Sequence, residues 1–344
     1  MVMMPKDELM KSDRQVAMVF DLNKCVGCQT CSVACKVLWT RDEGMEYQWW
    51  CTANTQPGRG HPKDYETMGG GYRDGVPFPG TRPTREEWGG GWEFNYDEVF
   101  YSGKGPSVFL KPLGEAPTWG PNWDEDQGGG EYPNSFFFYL PRLCNHCTRP
   151  VCIEACPRNA MYKRKEDGIV LRDETRCRGY QFCLEACPYY NYVKKISQQC
   201  IFCYPRIEKG VAPACARQCP GRMVFVGYLD DKSGPIHKLV NEWQVALPLH
   251  PEYGTIPNIF YIPPLAPYRL NDDGSIDEST PRIPTEYLER LFGPRVGKAL
   301  DTLKAEMAKT RSKEKSELMD MLIVYKWREL FKPFDRDPAE IQWK

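Results

Sequence analysis

A chain of 344 residues, 41% hydrophobic, is long enough for one large domain or two to three smaller ones and can bury a real core. Its formal net charge of −1 gives no electrostatic case for a nucleic-acid partner. Sixteen cysteines are too many to ignore, yet most sit two or three residues apart, too close to staple distant segments as a disulfide framework would.

Met1–Arg14 mixes Lys, Asp and Glu without an apolar run, so it does not read as a secretory signal. Gln15–Asp21 (QVAMVFD) is expected as a buried strand running into cysteines at 25–35. Residues 40–135 hold one cysteine, Cys51, and three triple-glycine breaks at Gly69–Gly71, Gly89–Gly91 and Gly128–Gly130. Their many Trp and Tyr residues argue against a disordered linker, so an ordered irregular insert is expected, packed on a partner or on the cysteine-bearing core. Phe136–Leu140 is far short of the roughly 20 apolar residues of a spanning helix, and no direct membrane span is expected. Residues 144–219 hold the other cysteines, with strands at Ala160–Tyr162 and Ile169–Leu171 turning at Asp167-Gly168. Val224–Leu229 reads as a closing strand.

From about 245 the chain is Pro-rich and is expected to run extended over another surface. Ile283–Arg311 places Leu288, Leu291, Phe292, Val296, Leu300 and Leu303 at helical spacing, broken at Gly293-Pro294. Ser316 is a candidate N-cap for a last helix over Ser316–Leu330. The fold class is α+β: two ferredoxin-like cluster-binding modules with a long irregular insert and a C-terminal extended and helical arm. The divisions are a first motif at 1–39 that pairs with 195–230, the insert at 40–135, a ferredoxin-like module at 136–194, a fourth motif and closing strand at 195–244, and the arm at 245–344.

The cysteines form four motifs: Cys25-x2-Cys28-x2-Cys31-x3-Cys35, Cys144-x2-Cys147-x4-Cys152-x3-Cys156, Cys177-x5-Cys183-x3-Cys187, and Cys200-x2-Cys203-x11-Cys215-x3-Cys219. The last three are each closed by proline. Zinc would usually recruit histidine, and of four histidines only His146 lies inside a motif. Soft thiolates at these spacings point to iron–sulfur clusters. An x2 step curls a short loop round one cubane, and the x3 step sends the last cysteine to the other cluster of a pair. Motifs two and three, adjacent in the chain, pair with each other, which leaves motifs one and four to pair across it.

The expected ligand sets are Cys25, Cys28, Cys31 and Cys219; Cys35, Cys200, Cys203 and Cys215; and Cys144, Cys147, Cys152 and Cys187, each holding [4Fe–4S]. Cys156, Cys177 and Cys183 remain for the fourth site. There Tyr180 stands in CRGYQFC where a cysteine would complete the motif, which favours [3Fe–4S]; the alternative is that Cys51 or water completes a four-iron site. Tyr180 is expected to pack over that cluster without ligating it, Cys51 to be a buried thiol, and His146 to donate a hydrogen bond near cluster sulfur. Lys36, Arg142, Arg149, Arg158, Lys163 and Arg164 are candidate cations for holding anionic clusters or tuning them, and the acidic run after Trp123 reads as a solvated or partner-facing turn. No catalytic group and no substrate site of its own is expected.

The runs DLNKCVGCQTCSVACK, FFFYLPRLCNHCTRPVCIEACP, CRGYQFCLEACPY, CIFCYPRIEKGVAPACARQCPG and VALPLHPEYGT resemble the β subunits of type II dimethyl sulfoxide reductase-family molybdoenzymes, over about residues 15–330. The resemblance implies an electron-transfer subunit of a molybdenum-dependent oxidoreductase. It also implies a large α subunit with a molybdenum cofactor and its own iron–sulfur cluster, and often a haem b γ subunit. The cluster on Cys25, Cys28, Cys31 and Cys219 would lie nearest α, and the three-cysteine cluster nearest the haem. Location would be periplasmic by co-export with α, or cytoplasmic on a membrane-anchored partner. The competing classes are a polyferredoxin or iron–sulfur subunit of another oxidoreductase, and a zinc scaffold that a brown colour would eliminate.

Overall fold

The computed structural model describes residues 5–41, 45, 48–84, 87, 93–104, 108, 111–113, 128–189, 192–193 and 197–342. The acidic run at 123–127 and Gly89–Gly91 lie outside them. In chain order the main elements begin with helix α1 (Lys6–Met10), strand β1 (Val16–Asp21), helix α2 (Thr30–Trp39) and strand β2 (Cys51–Gln56). Then come strand β3 (Phe138–Leu143), helix α3 (Val151–Ala155), strands β4 (Met161–Lys163) and β5 (Val170–Arg172), and helix α4 (Phe182–Ala186). Helices α5 (Tyr204–Ile207) and α6 (Ala214–Arg217) precede strands β6 (Val224–Tyr228), β7 (Leu247–Pro248), β8 (Ile259–Ile262), β9 (Tyr268–Leu270) and β10 (Ile276–Pro281). Helices α7 (Thr285–Phe292), α8 (Val296–Arg311) and α9 (Glu317–Ile323) follow.

The core is a four-stranded sheet in the order β6-β1-β8-β7. All six residues of β1 are buried, so the strand reads as a continuous apolar run rather than an alternating one. Strand β6 runs antiparallel to it and β8 parallel, with Met18 opposite Ile259. Strand β8 corrects the expectation of an arm lying on another surface: Ile259–Ile262 is wholly buried and completes the central sheet. The apolar IFYI run was hidden by its prolines, but Pro257, Pro263 and Pro264 stand outside the strand, where a missing N–H costs no ladder bond. The exposed β9–β10 hairpin that follows was not foreseen.

The insert is also more regular at its start than expected. Strand β2 (CTANTQ) is buried along its length and pairs antiparallel with β3, Cys51 opposite Leu143. Its polar side chains give no strand pattern; pairing with a buried neighbour overrides propensity here. Beyond it, Tyr65 and Met68 pack on Leu184, and Tyr72 packs on Val151 and Ala186. This part of the insert thus lies on helices α3 and α4. One of the triple-glycine breaks has a steric reason: a Cβ at Gly70, where φ is +100°, would sit 2.9 Å from the Ala186 carbonyl oxygen.

Arg142 on β3 ties this region together. Its buried guanidinium lies 3.1 Å from the Tyr65 ring centroid and donates to the carbonyls of His61 at 3.2 Å and Tyr189 at 3.4 Å. Arg142→Met would strand those buried acceptors, each worth about 1–3 kcal/mol. The expected result is about 3 kcal/mol of lost stability, read as a lower midpoint in urea unfolding, with iron content unchanged.

The C-terminal helices follow the sequence closely. Gly293, at φ +82°, separates α7 from α8, and the Ser316 hydroxyl accepts from the Met319 N–H at 3.1 Å as the N-cap of α9. Helix α9 stops at Ile323, short of Leu330, because Val324 turns left-handed.

Candidate metal centres

The strand pairings decide which cysteine motifs meet. Motif one leaves the C-terminal end of β1 and motif four enters the N-terminal start of β6. These strands are antiparallel with Phe20 opposite Val224, so Cys25 and Cys219 arrive at one end of the sheet. The Asp21 N–H donates to the Met223 carbonyl at 2.8 Å and closes the junction. The same logic serves motifs two and three. Cys156 precedes β4 and Cys177 follows β5, and Met161 stands opposite Arg172 in that antiparallel pair.

Each motif curls in the same way. The residue two after the first cysteine is left-handed in all four: Gly27 at φ 65°, His146 at 43°, Gly179 at 68° and Phe202 at 51°. A left-handed residue in a tight loop turns backbone N–H groups inward and makes a concavity suited to an anionic group. At Gly27 glycine is required twice, since a Cβ would also lie 2.5 Å from the Tyr139 ring. His146 and Phe202 hold the strained region with side chains, at a cost of order 1–3 kcal/mol each. His146 is held there by its contacts: Nδ1 accepts from the Val170 N–H at 3.0 Å, and its carbonyl accepts from Asn258 at 2.8 Å.

The thiols gather into neighbourhoods. Cys25 lies within electrostatic reach of Cys28, Cys31 and Cys219. Cys35 faces Cys203 and Cys215, and Cys200 faces Cys35 and Cys203. Cys144, Cys147, Cys152 and Cys187 form a third group. Cys156, Cys177 and Cys183 line one cavity with Tyr180 and Arg158, about 360 Å³ including its open mouth. Helices α3 and α4 pack side by side and are C-capped by Cys156 and Cys187, so each cysteine leaves its helix beside the neighbouring motif.

Burial pushes the Cys25 thiol up to about 12 and the Cys144, Cys152, Cys200 and Cys215 thiols well above the usual range. Such crowded, buried thiols become thiolates only with a compensating cation, which bound iron supplies. The donor set therefore fits a thiolate-bound cluster. Two further observations agree. Backbone N–H groups already point at cysteine sulfur, Ala160 to Cys156 Sγ and Phe202 to Cys200 Sγ, both at 3.3 Å. His146, held neutral by burial with its pKa lowered to about 3, keeps a buried Nε2 with no acceptor among the described residues.

Tyr180 sits at the mouth of the three-cysteine cavity with its side chain 53% exposed, tilted against Phe182 at 6.4 Å. It borders that site more than it covers it. Cys51 is fully buried and hydrogen-bonds Cys31, which favours thiolate at Cys31, lowered to about 7, and keeps Cys51 protonated. Strand β2 holds it beside motifs one and four, so it is not at hand to complete the three-cysteine site.

Most of the candidate cations serve the scaffold. The Lys36 ammonium donates to the carbonyls of Met45 and Gln48, and Arg149 to that of Gly75, each pinning the insert. Arg164 pairs with Asp167 and Glu208, and Arg158 is exposed. Lys163, buried, donates to the Cys147 carbonyl at 3.1 Å, and the Lys36 charge is felt at the Cys35 thiol. Two groups went unnoticed in the sequence. Lys6 of α1 donates to the carbonyls of Ile153 and Cys156, while Leu9 packs on Cys152 and Cys183. Trp39 Nε1 donates to Cys203 Sγ at 3.1 Å. Trp39 was legible in principle, since Cys31, Cys35 and Trp39 recur every four residues on one face of α2.

A 4Fe-4S dicluster domain model matches residues 135–229, covering motifs two to four. The dimethylsulfide dehydrogenase subunit beta of Rhodovulum sulfidophilum is 55% identical over 93% of this chain and 98% of its own length. The selenate reductase subunit beta of Thauera selenatis is 54% identical over 91% of this chain and 97% of its own. The respiratory nitrate reductase subunit beta of Haloferax mediterranei is 56% identical over 90% and 91%. Likeness at this level extends past the matched domain to motif one, the insert and the C-terminal helices. Four neighbourhoods of thiols, on a scaffold shared over at least 90% of the chain with such subunits, place the chain in the family of iron–sulfur electron-transfer β subunits of type II dimethyl sulfoxide reductase-family molybdoenzymes.

Proposed function

We propose that this chain carries electrons through three [4Fe–4S] clusters and one [3Fe–4S] cluster, between a molybdenum-cofactor catalytic subunit and a haem or other redox partner. The ligand sets are Cys25, Cys28, Cys31 and Cys219; Cys35, Cys200, Cys203 and Cys215; Cys144, Cys147, Cys152 and Cys187; and Cys156, Cys177 and Cys183 for the three-iron cluster. The observation that supports this reading is placement: Cys219 lies near Cys25, Cys28 and Cys31, Cys35 near Cys203 and Cys215, and Cys187 near Cys144 and Cys152, while Cys156 lines a cavity with Cys177 and Cys183. When bound, each cluster accepts and releases one electron. The chain holds its sulfurs in tight loops, most of them at least partly buried, and supplies N–H donors to some of them.

Two exposed apolar patches support docking at opposite ends of the relay. Val26, Val33, Val37 and Leu38 stand exposed around motif one, and Tyr180 and Phe182 beside motif three. The first would meet the α subunit, which carries its own iron–sulfur cluster, and the second the haem b γ subunit. Modules at 1–39 with 195–230 and at 136–194 would each hold two clusters. Among the described residues no helix is long and apolar enough to cross a membrane. Export to the periplasm with the α subunit is the reading we favour, and cell fractionation with and without α export tests it.

Metal analysis tests the relay itself. The purified complex, corrected for the partner's own cluster, should yield about 15 irons per copy of this chain, with zinc at trace level. Zinc in place of iron would end the proposal, and 16 irons would move the fourth site to a four-iron cluster.

A further inference from the structure

Helix α2 presents Cys31, Cys35 and Trp39 at four-residue steps, hence on one face. That face meets the segment carrying motif four. Trp39 Nε1 donates to the sulfur of Cys203 at 3.1 Å, across 164 residues of chain. Trp39 lines a cavity, about 330 Å³ including its open mouth, together with Cys35, Cys200, Cys203, Cys215 and Trp50. The Trp50 Nε1 is buried as well and has no acceptor among the described residues. The wall of this one site thus carries two indole N–H groups.

We propose that Trp39 is a positioning residue that raises the reduction potential of the site on Cys35, Cys200, Cys203 and Cys215 relative to the same site without its N–H donor. This rests on the reading that those four cysteines hold one cluster. A donor to ligand thiolate draws electron density from sulfur. It stabilises the reduced form more, because that form carries one more negative charge, and hydrogen bonds to the sulfurs are among the groups that set such potentials. No proton is transferred; the bond strengthens on reduction and weakens on oxidation. The donor is neutral, so the effect is local to the sulfur it touches and does not spread to the other three sites as a buried cation's would.

The test is a redox titration of the intact complex, followed by electron paramagnetic resonance, for wild type and Trp39→Phe. A second variant carries benzothienylalanine at position 39, which keeps the bicyclic shape and replaces only the N–H. In both variants one step should move to lower potential, by at least about tenfold in its oxidised-to-reduced ratio, or 59 mV for one electron. The other three steps of this chain should stay in place. Four unmoved steps, or a uniform shift of all four, would overturn the inference while leaving the four-cluster reading intact. Loss of the cluster in both variants would assign Trp39 to assembly and overturn it too. If wild type itself lacks four steps from this chain, the cluster reading fails and the inference falls with it. Cluster loss in Trp39→Phe alone leaves the decision to the benzothienyl variant.

Discussion

Tyr180→Cys is expected to convert a three-iron site into a four-iron one. In the wild-type complex, oxidation should produce the S = 1/2 resonance of a [3Fe–4S] cluster, because Cys156, Cys177 and Cys183 offer three thiolates. The variant should lose that signal and gain one iron per chain. Position 180 is well placed for the change: it borders the cavity that those three cysteines line, between Gly179 and Gln181, both of them left-handed. Its side chain is half exposed, so shortening it opens no core void. The added thiolate charge should lower the potential of the site, by an amount of order hundreds of millivolts. Electron exchange with the redox partner proposed at this end should slow, while the large subunit's turnover with an artificial dye survives. An oxidised wild type without the signal, with four irons beside these three cysteines, would refute the assignment. The completing ligand would then be solvent or a partner's side chain, since Cys51 lies against Cys31.

Cys219→Ser and Cys35→Ser should each damage the site of the other motif. Cys219 lies among Cys25, Cys28 and Cys31, so its loss should remove or convert the motif-one cluster and leave Cys200, Cys203 and Cys215 loaded. Cys35 faces Cys203 and Cys215, so Cys35→Ser should spare Cys25, Cys28 and Cys31 and strike motif four. Each variant should lose up to four irons, and the redox step that vanishes should differ between the two. The opposite assignment, each serine damaging the cluster of its own motif, would contradict the exchange. Such a result would require Cys35 and Cys219 to be carried past one another, which the β1–β6 register, with Phe20 opposite Val224, opposes.

The cysteine chemistry was legible because it is local. Steps of two and three residues, a closing proline and the absent cysteine at 180 are statements about short loops, and short loops constrain their ligands without help from the rest of the chain. Periodic segments were legible for the same reason: β1, β6 and helices α7 to α9 each carry their own pattern or cap. The ligand exchange between motifs one and four could be argued by elimination, but its cause is the antiparallel register of two strands more than 200 residues apart. Strands β2 and β8 had no readable signal. One is polar and the other lies among prolines, and each is a strand because a buried neighbour offers its edge. The same holds for Arg142, which binds the carbonyls of His61 and Tyr189, for Lys36, which binds those of Met45 and Gln48, and for Lys6 and Trp39, whose partners are distant in sequence. A side chain's type and spacing state what it can ligate, whereas what a long polar or aromatic side chain touches depends on contacts that only the folded chain brings within reach.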